Sequence, residues 1–305
     1  MTLIAFVLVA TSVIMHSLWH FLCKSSGKPS PAFFAIFSTS LFFTMLPIGL
    51  SSGVIPHLTW DIVKFLLMGG TFGVICDIGL IWAYKYSDIS LAYPLARALP
   101  VFLTLSATSI FGWGKEISFI AGTGMMIIFS GCVVMAFSNS SPDKSLRDKL
   151  LFIKKGLPGI LLAAVCTTGY TISDSFGIQT ITQAFADENR LLVCGAYSCC
   201  RELPAAVMLW VVTGFCRVTR LDCTSVRNMA KQYHPYVAGV AAALAYLLIL
   251  VAMGFVSNVS FLQAFRQLSL PVGAFLGYLI LKEKITYVRL IGLVMIMAGL
   301  VMCVI

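Results

Sequence analysis

The sequence predicts an all-α membrane protein: ten transmembrane helices arranged as two inverted five-helix repeats. Three observations carry that expectation. Hydrophobic residues make up 59% of the 305-residue chain and charged residues only 11%, where a soluble domain is nearer half apolar and a quarter charged. Mean hydropathy is +0.94, more apolar surface than one globular core can bury. The apolar stretches recur about every 30 residues, one span of about 20 plus a short connection. A soluble enzyme, a disordered chain and a nucleic-acid-binding protein are thereby excluded, even though the formal charge is +9.

Apolar runs bounded by charge, Gly, Pro and Ser place the spans at 3–23, 31–51, 62–84, 89–111, 117–137, 157–178, 191–214, 235–256, 259–281 and 285–305. The first, TLIAFVLVATSVIMHSLWHFLCK, has neither a basic leader nor a small-residue cleavage site and reads as a retained span. Basic residues cluster in the connections after odd spans: Lys24 and Lys28, Lys85, Lys144 to Lys155, Arg217 to Lys231, and Lys282, Lys284 and Arg289. The other connections hold only Lys64, Lys115 and Arg190. By the positive-inside rule the odd connections are cytoplasmic and both termini lie outside. With no targeting signal recognised, a bacterial inner membrane is expected. Trp60, Trp113 and Tyr287 read as interfacial anchors. The polar, basic segment 139–156 reads as a cytoplasmic linker with a short amphipathic end, dividing a first repeat (1–138) from a second (157–305). The cysteines lack zinc or disulfide spacing and read as small packing residues.

The two halves echo each other. Ser87-Asp88-Ile89-Ser90 matches Ser257-Asn258-Val259-Ser260, and Arg97 and Arg266 follow at nearly equal distances. Glu116 and Glu283 mark the next turn, then Gly124 and Gly131 recur as Gly292 and Gly299. A five-span unit repeated once must cross the membrane in the opposite sense the second time, a plan common among secondary transporters. The paired glycines, seven residues apart, predict close helix packing within the bundle rather than a dimer contact.

These residues carry a family resemblance. HSLWHFLCK in the first span, YSDISLAYPLAR opening the fourth, YTISDSFG in the sixth and FLQAFRQLSLPVGAFLG in the ninth resemble the drug/metabolite transporter superfamily, EamA type. His20 stands where a subgroup of that family has Asn. The resemblance covers essentially the whole chain and implies a ten-helix carrier of small metabolites. Many members keep both termini in the cytoplasm; the charge distribution here predicts the opposite.

Ionisable groups inside apolar spans cost roughly 2.5–3.5 kcal/mol each and face the bundle interior. Asp77, Arg97, Asp174, Arg201, Glu202 and Arg266 are six such groups, together roughly 15–20 kcal/mol if each stood alone. They must pair or line water. Arg97 and Arg266 are expected on opposite sides of one cavity, either gripping an anionic substrate or braced against Asp77, Asp174 or Glu202. A desolvated carboxylate can carry a proton, so Asp174, Asp77 and Glu202 are the proton-coupling candidates, Asp174 first. Adjacent on the helix and about 100° apart, Arg201 and Glu202 are not expected to pair with each other. His16, Trp19 and His20 form a polar stripe on the first span and join Tyr93, Tyr170 and Gln267 as candidate substrate contacts. Two histidines at i, i+4 could ligate zinc, but no third ligand is evident, so neither metal nor cofactor is expected.

The sequence therefore predicts a secondary transporter, not an enzyme, moving a small polar, anionic or zwitterionic metabolite by alternating access. Its expected partners are that solute and membrane lipids, with the chain a monomer or weak homodimer. Rival readings are an exporter of drugs or apolar or cationic compounds, and a non-transporting membrane subunit.

Overall fold

The computed structural model of the chain describes residues 2–26, 30–86, 89–138, 146–222, 224–272, 274–275 and 286–304. Among these, the long elements are all helices: α1 (Leu3–Ser25), α2 (Pro31–Ser51), α3 (Trp60–Tyr86), α4 (Ile89–Phe111), α5 (Phe119–Ser138), α6 (Leu146–Ala184) and α7 (Arg190–Val218). They are followed by the one-turn α8 (Val226–Ala230), α9 (His234–Met253), α10 (Val259–Phe265) and α11 (Tyr287–Met302). Eight of them, α1 to α7 and α9, are long and apolar enough to cross a membrane. The chain is an all-α integral membrane protein. Phe43, Val165, Val211 and Phe119, on four different helices, are all exposed, large apolar side chains that suit hydrocarbon better than water.

Local chemistry sets where helices begin. Thr2, Ser30 and Thr286 each accept, through the side-chain hydroxyl, the amide of the residue three positions on, supplying an acceptor for one of the four orphan N–H groups of a helix start. Pro31 follows Ser30 in the first turn, where its missing N–H costs nothing.

Two boundaries differ from the sequence reading. The segment predicted as a linker is helical from Leu146 and runs without interruption into α6, through Pro158, to Ala184. LRDKLLFIKK consists largely of good helix formers, so its polarity marks the edge of the membrane and not the end of the helix. The ninth predicted span, in contrast, is broken: α10 ends at Phe265 and gives way to a 3-10 turn over Arg266–Leu268. Ser87-Asp88, Glu283 and the predicted span beyond residue 275 up to 285 lie outside the described residues, as does the linker at 139–145.

The largest packing surfaces join α3 to α6, α2 to α7, α1 to α9 and α5 to α11. The α5–α11 contact is built on the repeated glycines. A Cβ on Gly124 would meet the carbonyl of Gly299 and a Cβ on Gly131 that of Gly292; each partner glycine faces the reciprocal carbonyl. Both pairs therefore pack helix against helix within the bundle. Gly131→Leu is expected to cost about 1–3 kcal/mol by overpacking, seen as a lower thermal midpoint in detergent. Gly122→Leu on the same helix, where a Cβ meets nothing within 4 Å, is expected to be neutral.

At one end of the bundle Thr2 Oγ1 donates to the carbonyl of Phe255 (3.2 Å) and the Lys115 amide to that of Ser257 (3.0 Å). Asn258 Nδ2 ties the same turn to the carbonyls of Trp113 and Lys115. The chain start, the α4–α5 turn and the α9–α10 turn thus share one end.

Candidate functional site

Charged side chains on apolar helices turn inward because the outward face offers no partner. Here they converge on a cavity of about 150 Å³ lined from α1, α2, α3, α4, α6, α7, α9 and the α10 region. His16, Trp19, His20, Asp77, Arg97, Tyr170, Glu202 and Arg266 all line it. Two predicted residues stand behind the wall instead. Gln267 is fully buried, accepting from Arg97 Nε (3.4 Å) and donating to the Gln263 carbonyl (3.1 Å). Asp174 is fully buried beneath Arg201. The side chain of Tyr93 lies outside the described residues.

Arg201 organises one wall. Its Nε donates to Asp174 Oδ2 at 3.0 Å, its Nη1 to Glu202 Oε1, and its Nη2 to the Gly69 carbonyl at 3.1 Å. The expectation that Arg201 and Glu202 would not pair is overturned. The Cα–Cβ directions diverge, but a guanidinium on a three-carbon stem reaches back around the helix. The Asp174 carboxylate is completed by hydroxyls, Tyr197 donating to Oδ1 at 2.9 Å and Tyr246 to Oδ2. Ser38 donates to Glu202 Oε2 at 3.3 Å. The guanidinium also lies 5.0 Å and 5.5 Å from the ring centres of Tyr246 and Tyr170, within cation–π range. Space for this cluster comes from α3: a Cβ on Gly69 would strike Asp174 Oδ1, and one on Gly73 would sit 3.2 Å from Arg201 Nη2. The Gly69-Gly70-x-x-Gly73 run is a sequence signal that could have pointed to a close approach here, but nothing in it names Arg201 as the group approaching.

The second wall joins α1, α4 and the broken α10. Arg97 Nη2 donates to the carbonyl of Arg266 (2.6 Å) and to Ser269 Oγ (2.9 Å), and Nη1 touches His16 Nε2. Arg97 and Arg266 both line the cavity, with Arg97 reaching the backbone carbonyl of Arg266. Over 266–268 the helix tightens to 3-10, and the Arg266 carbonyl accepts the Ser269 amide and hydroxyl as well as Arg97. His16 Nδ1 accepts from Trp19 Nε1 (3.0 Å), and its Nε2 lies 3.2 Å from His20 Nε2. Arg266 is buried, donating to Gln263 Oε1 at 3.4 Å and hydrogen-bonding the Tyr170 side chain, and no ion pair reaches it among the described residues. Among those residues no three metal-ligating side chains converge.

Sequence reasoning left Ser38, Cys76, Thr167, Gln263 and Ala242 out of the lining. Small or neutral side chains in an apolar run carry no signal of their own.

No family model matches the chain, and no curated protein matches it. Among solved structures, a crystal structure described only as that of a protein matches with TM-score 0.66 and 15% identity, over 98% of this chain and 96% of its own. At that identity the likeness shows a shared fold and nothing of activity.

Proposed function

We propose that the chain is a secondary transporter of the drug/metabolite transporter superfamily, EamA type. It moves a small polar, anionic or zwitterionic metabolite by alternating access. The observation that carries this is the cavity itself, a polar chamber lined by three arginines and two carboxylates in the middle of an otherwise apolar bundle. Groups so costly in hydrocarbon mark solute pathways by default.

Ten spans in two inverted repeats are part of the proposal, the second half of the ninth completing the set. The packing supports it. If the first five spans correspond in order to the last five, the α3–α6 contact maps onto α9–α1, while α2–α7 and α5–α11 map onto themselves. The cavity then lies where the repeats meet, beside a helix that tightens to 3-10 over Arg266–Leu268 and offers the Arg266 carbonyl to Arg97, in keeping with the midplane site expected of such carriers. The described basic residues Lys85, Lys154, Lys155, Arg217, Arg227 and Lys231 follow odd spans, the support for cytoplasmic odd connections and external termini; a bacterial inner membrane is part of the same proposal. Asp77 and Glu202, which line the cavity, are the proton-coupling candidates in place of the enclosed Asp174.

Purified protein reconstituted in proteoliposomes is expected to exchange or accumulate a radiolabelled small zwitterion or organic anion. Correctly folded protein that moves none across a broad metabolite panel would instead be a non-transporting subunit. Movement confined to lipophilic cations would favour the drug-export reading.

A further inference from the structure

At the end of the bundle marked by Thr2, two turns from opposite halves of the chain are tied by neutral hydrogen bonds. Asn258 stands at the centre of the tie. Its Oδ1 accepts the Ser260 amide at 2.9 Å and so caps α10. Its Nδ2, a group with two N–H donors, serves the carbonyls of Trp113 (3.2 Å) and Lys115 (3.1 Å) in the α4–α5 turn. The Lys115 amide answers on the Ser257 carbonyl at 3.0 Å. The turns meet this closely because Gly114 lies between them: its φ is +86°, and a Cβ there would sit 2.9 Å from the Ser257 carbonyl. Just below, the hydroxyls of Thr108 and Ser260 join at 2.8 Å, both buried. Trp113 stands edge-on to Phe176, which stacks on Phe65 of α3, so this end is filled.

The cavity lies away from it. Its lining is drawn from residues 16–20 of α1, 73–80 of α3 and 96–100 of α4, and none comes from the half of those helices nearest the tie. Between tie and cavity runs α10. It starts at Asn258, places Gln263 and Arg266 in the lining and passes into the 3-10 turn over Arg266–Leu268, a break of the kind that often serves as a hinge. Resting on the transporter reading above, we propose that Asn258 is a latch. It holds the Thr2 end of the cavity shut, and its release lets α10 swing about residues 266–268 and opens the cavity to that face. A neutral hydrogen bond is worth roughly fivefold in an equilibrium, so a few of them favour the closed state without fixing it.

The test is the side from which the cavity can be reached. Ala205→Cys places a thiol in the lining, where the native Cys76 supplies a second. Both are reacted with a membrane-impermeant thiosulfonate in right-side-out and inverted membrane vesicles, and labelling of each peptide is read by mass spectrometry. With Asn258 in place, labelling is expected from the face opposite Thr2. Asn258→Asp keeps an oxygen to cap α10 but has no N–H for the two carbonyls. It should raise labelling from the Thr2 face about tenfold or more. Gly114→Ala, which forces the turns apart with Asn258 in place, should do the same and decides the matter if Asn258→Asp fails to fold. Faster labelling from the Thr2 face with the tie intact overturns the proposal, as does a pattern that neither variant shifts. Transport is read separately, as flux of the radiolabelled metabolite panel in proteoliposomes of Lys115→Cys/Asn258→Cys joined by a short, reducible bifunctional thiol reagent. Flux should stop on crosslinking and return on reduction. Flux that continues through the crosslink sinks the latch and leaves the transporter reading standing. Labelling that shifts in a protein that moves no metabolite ends the transporter reading and leaves the latch.

Discussion

Arg201→Met is expected to lose about 3–5 kcal/mol of stability, because removing one partner of a buried ion pair strands the other. Here two carboxylates would be stranded at once, Asp174 and Glu202, both on the order of 5% exposed or less. Two tyrosine hydroxyls and Ser38 would remain as their only donors among the described residues. The readout is the temperature at which the monodisperse peak disappears in detergent size-exclusion chromatography. The triple variant Arg201→Met, Asp174→Asn, Glu202→Gln should recover most of the loss, since it removes the charges together with their compensation. A single variant that melts with the unaltered protein would show that Arg201 does not hold the wall.

Arg266→Gln is expected to do the opposite, abolishing transport while leaving the fold intact. Its hydrogen-bond partners are the neutral Gln263 and Tyr170, so its removal strands no charge. A forked guanidinium–oxyanion contact in a desolvated site is worth about 3–4 kcal/mol, or on the order of a hundredfold or more in apparent affinity. Uptake into proteoliposomes should fall by that factor with the thermal midpoint held to within about 1 kcal/mol of equivalent stability. Arg97→Gln should lose transport too, but with a measurable fall in stability, because Arg97 also ties α4 to the Arg266 carbonyl and Ser269. Normal transport by both variants would dispose of the anion-binding wall.

Much of the site was visible in the sequence. His16, His20, Asp77, Arg97, Glu202 and Arg266 were singled out because each interrupts an apolar run, and hydrocarbon leaves such a group one place to go. Their pairing was not visible. Arg201 and Glu202 looked incompatible from helix geometry, yet a long flexible guanidinium spans the angle that Cβ directions impose. Asp174 looked like the leading proton carrier, yet Tyr197 and Tyr246, from helices far apart in sequence, close over it. The basic linker was given only a short amphipathic end because polarity was taken to precede the start of the sixth helix, while the backbone, indifferent to polarity, is helical from Leu146.

Sequence alone determined that this chain crosses a membrane, roughly where, and which polar groups it must keep inside. Those follow from the transfer free energy of each residue, a local quantity that sums along the chain. Only the tertiary structure decided which charges neutralise one another and which are left facing the cavity. That depends on which helices meet, and so on the glycines that let backbones touch at Gly124–Gly299 and Gly131–Gly292 and on those that make room for Arg201 at Gly69 and Gly73. A contact of that kind belongs to two distant segments at once, and neither segment encodes it by itself.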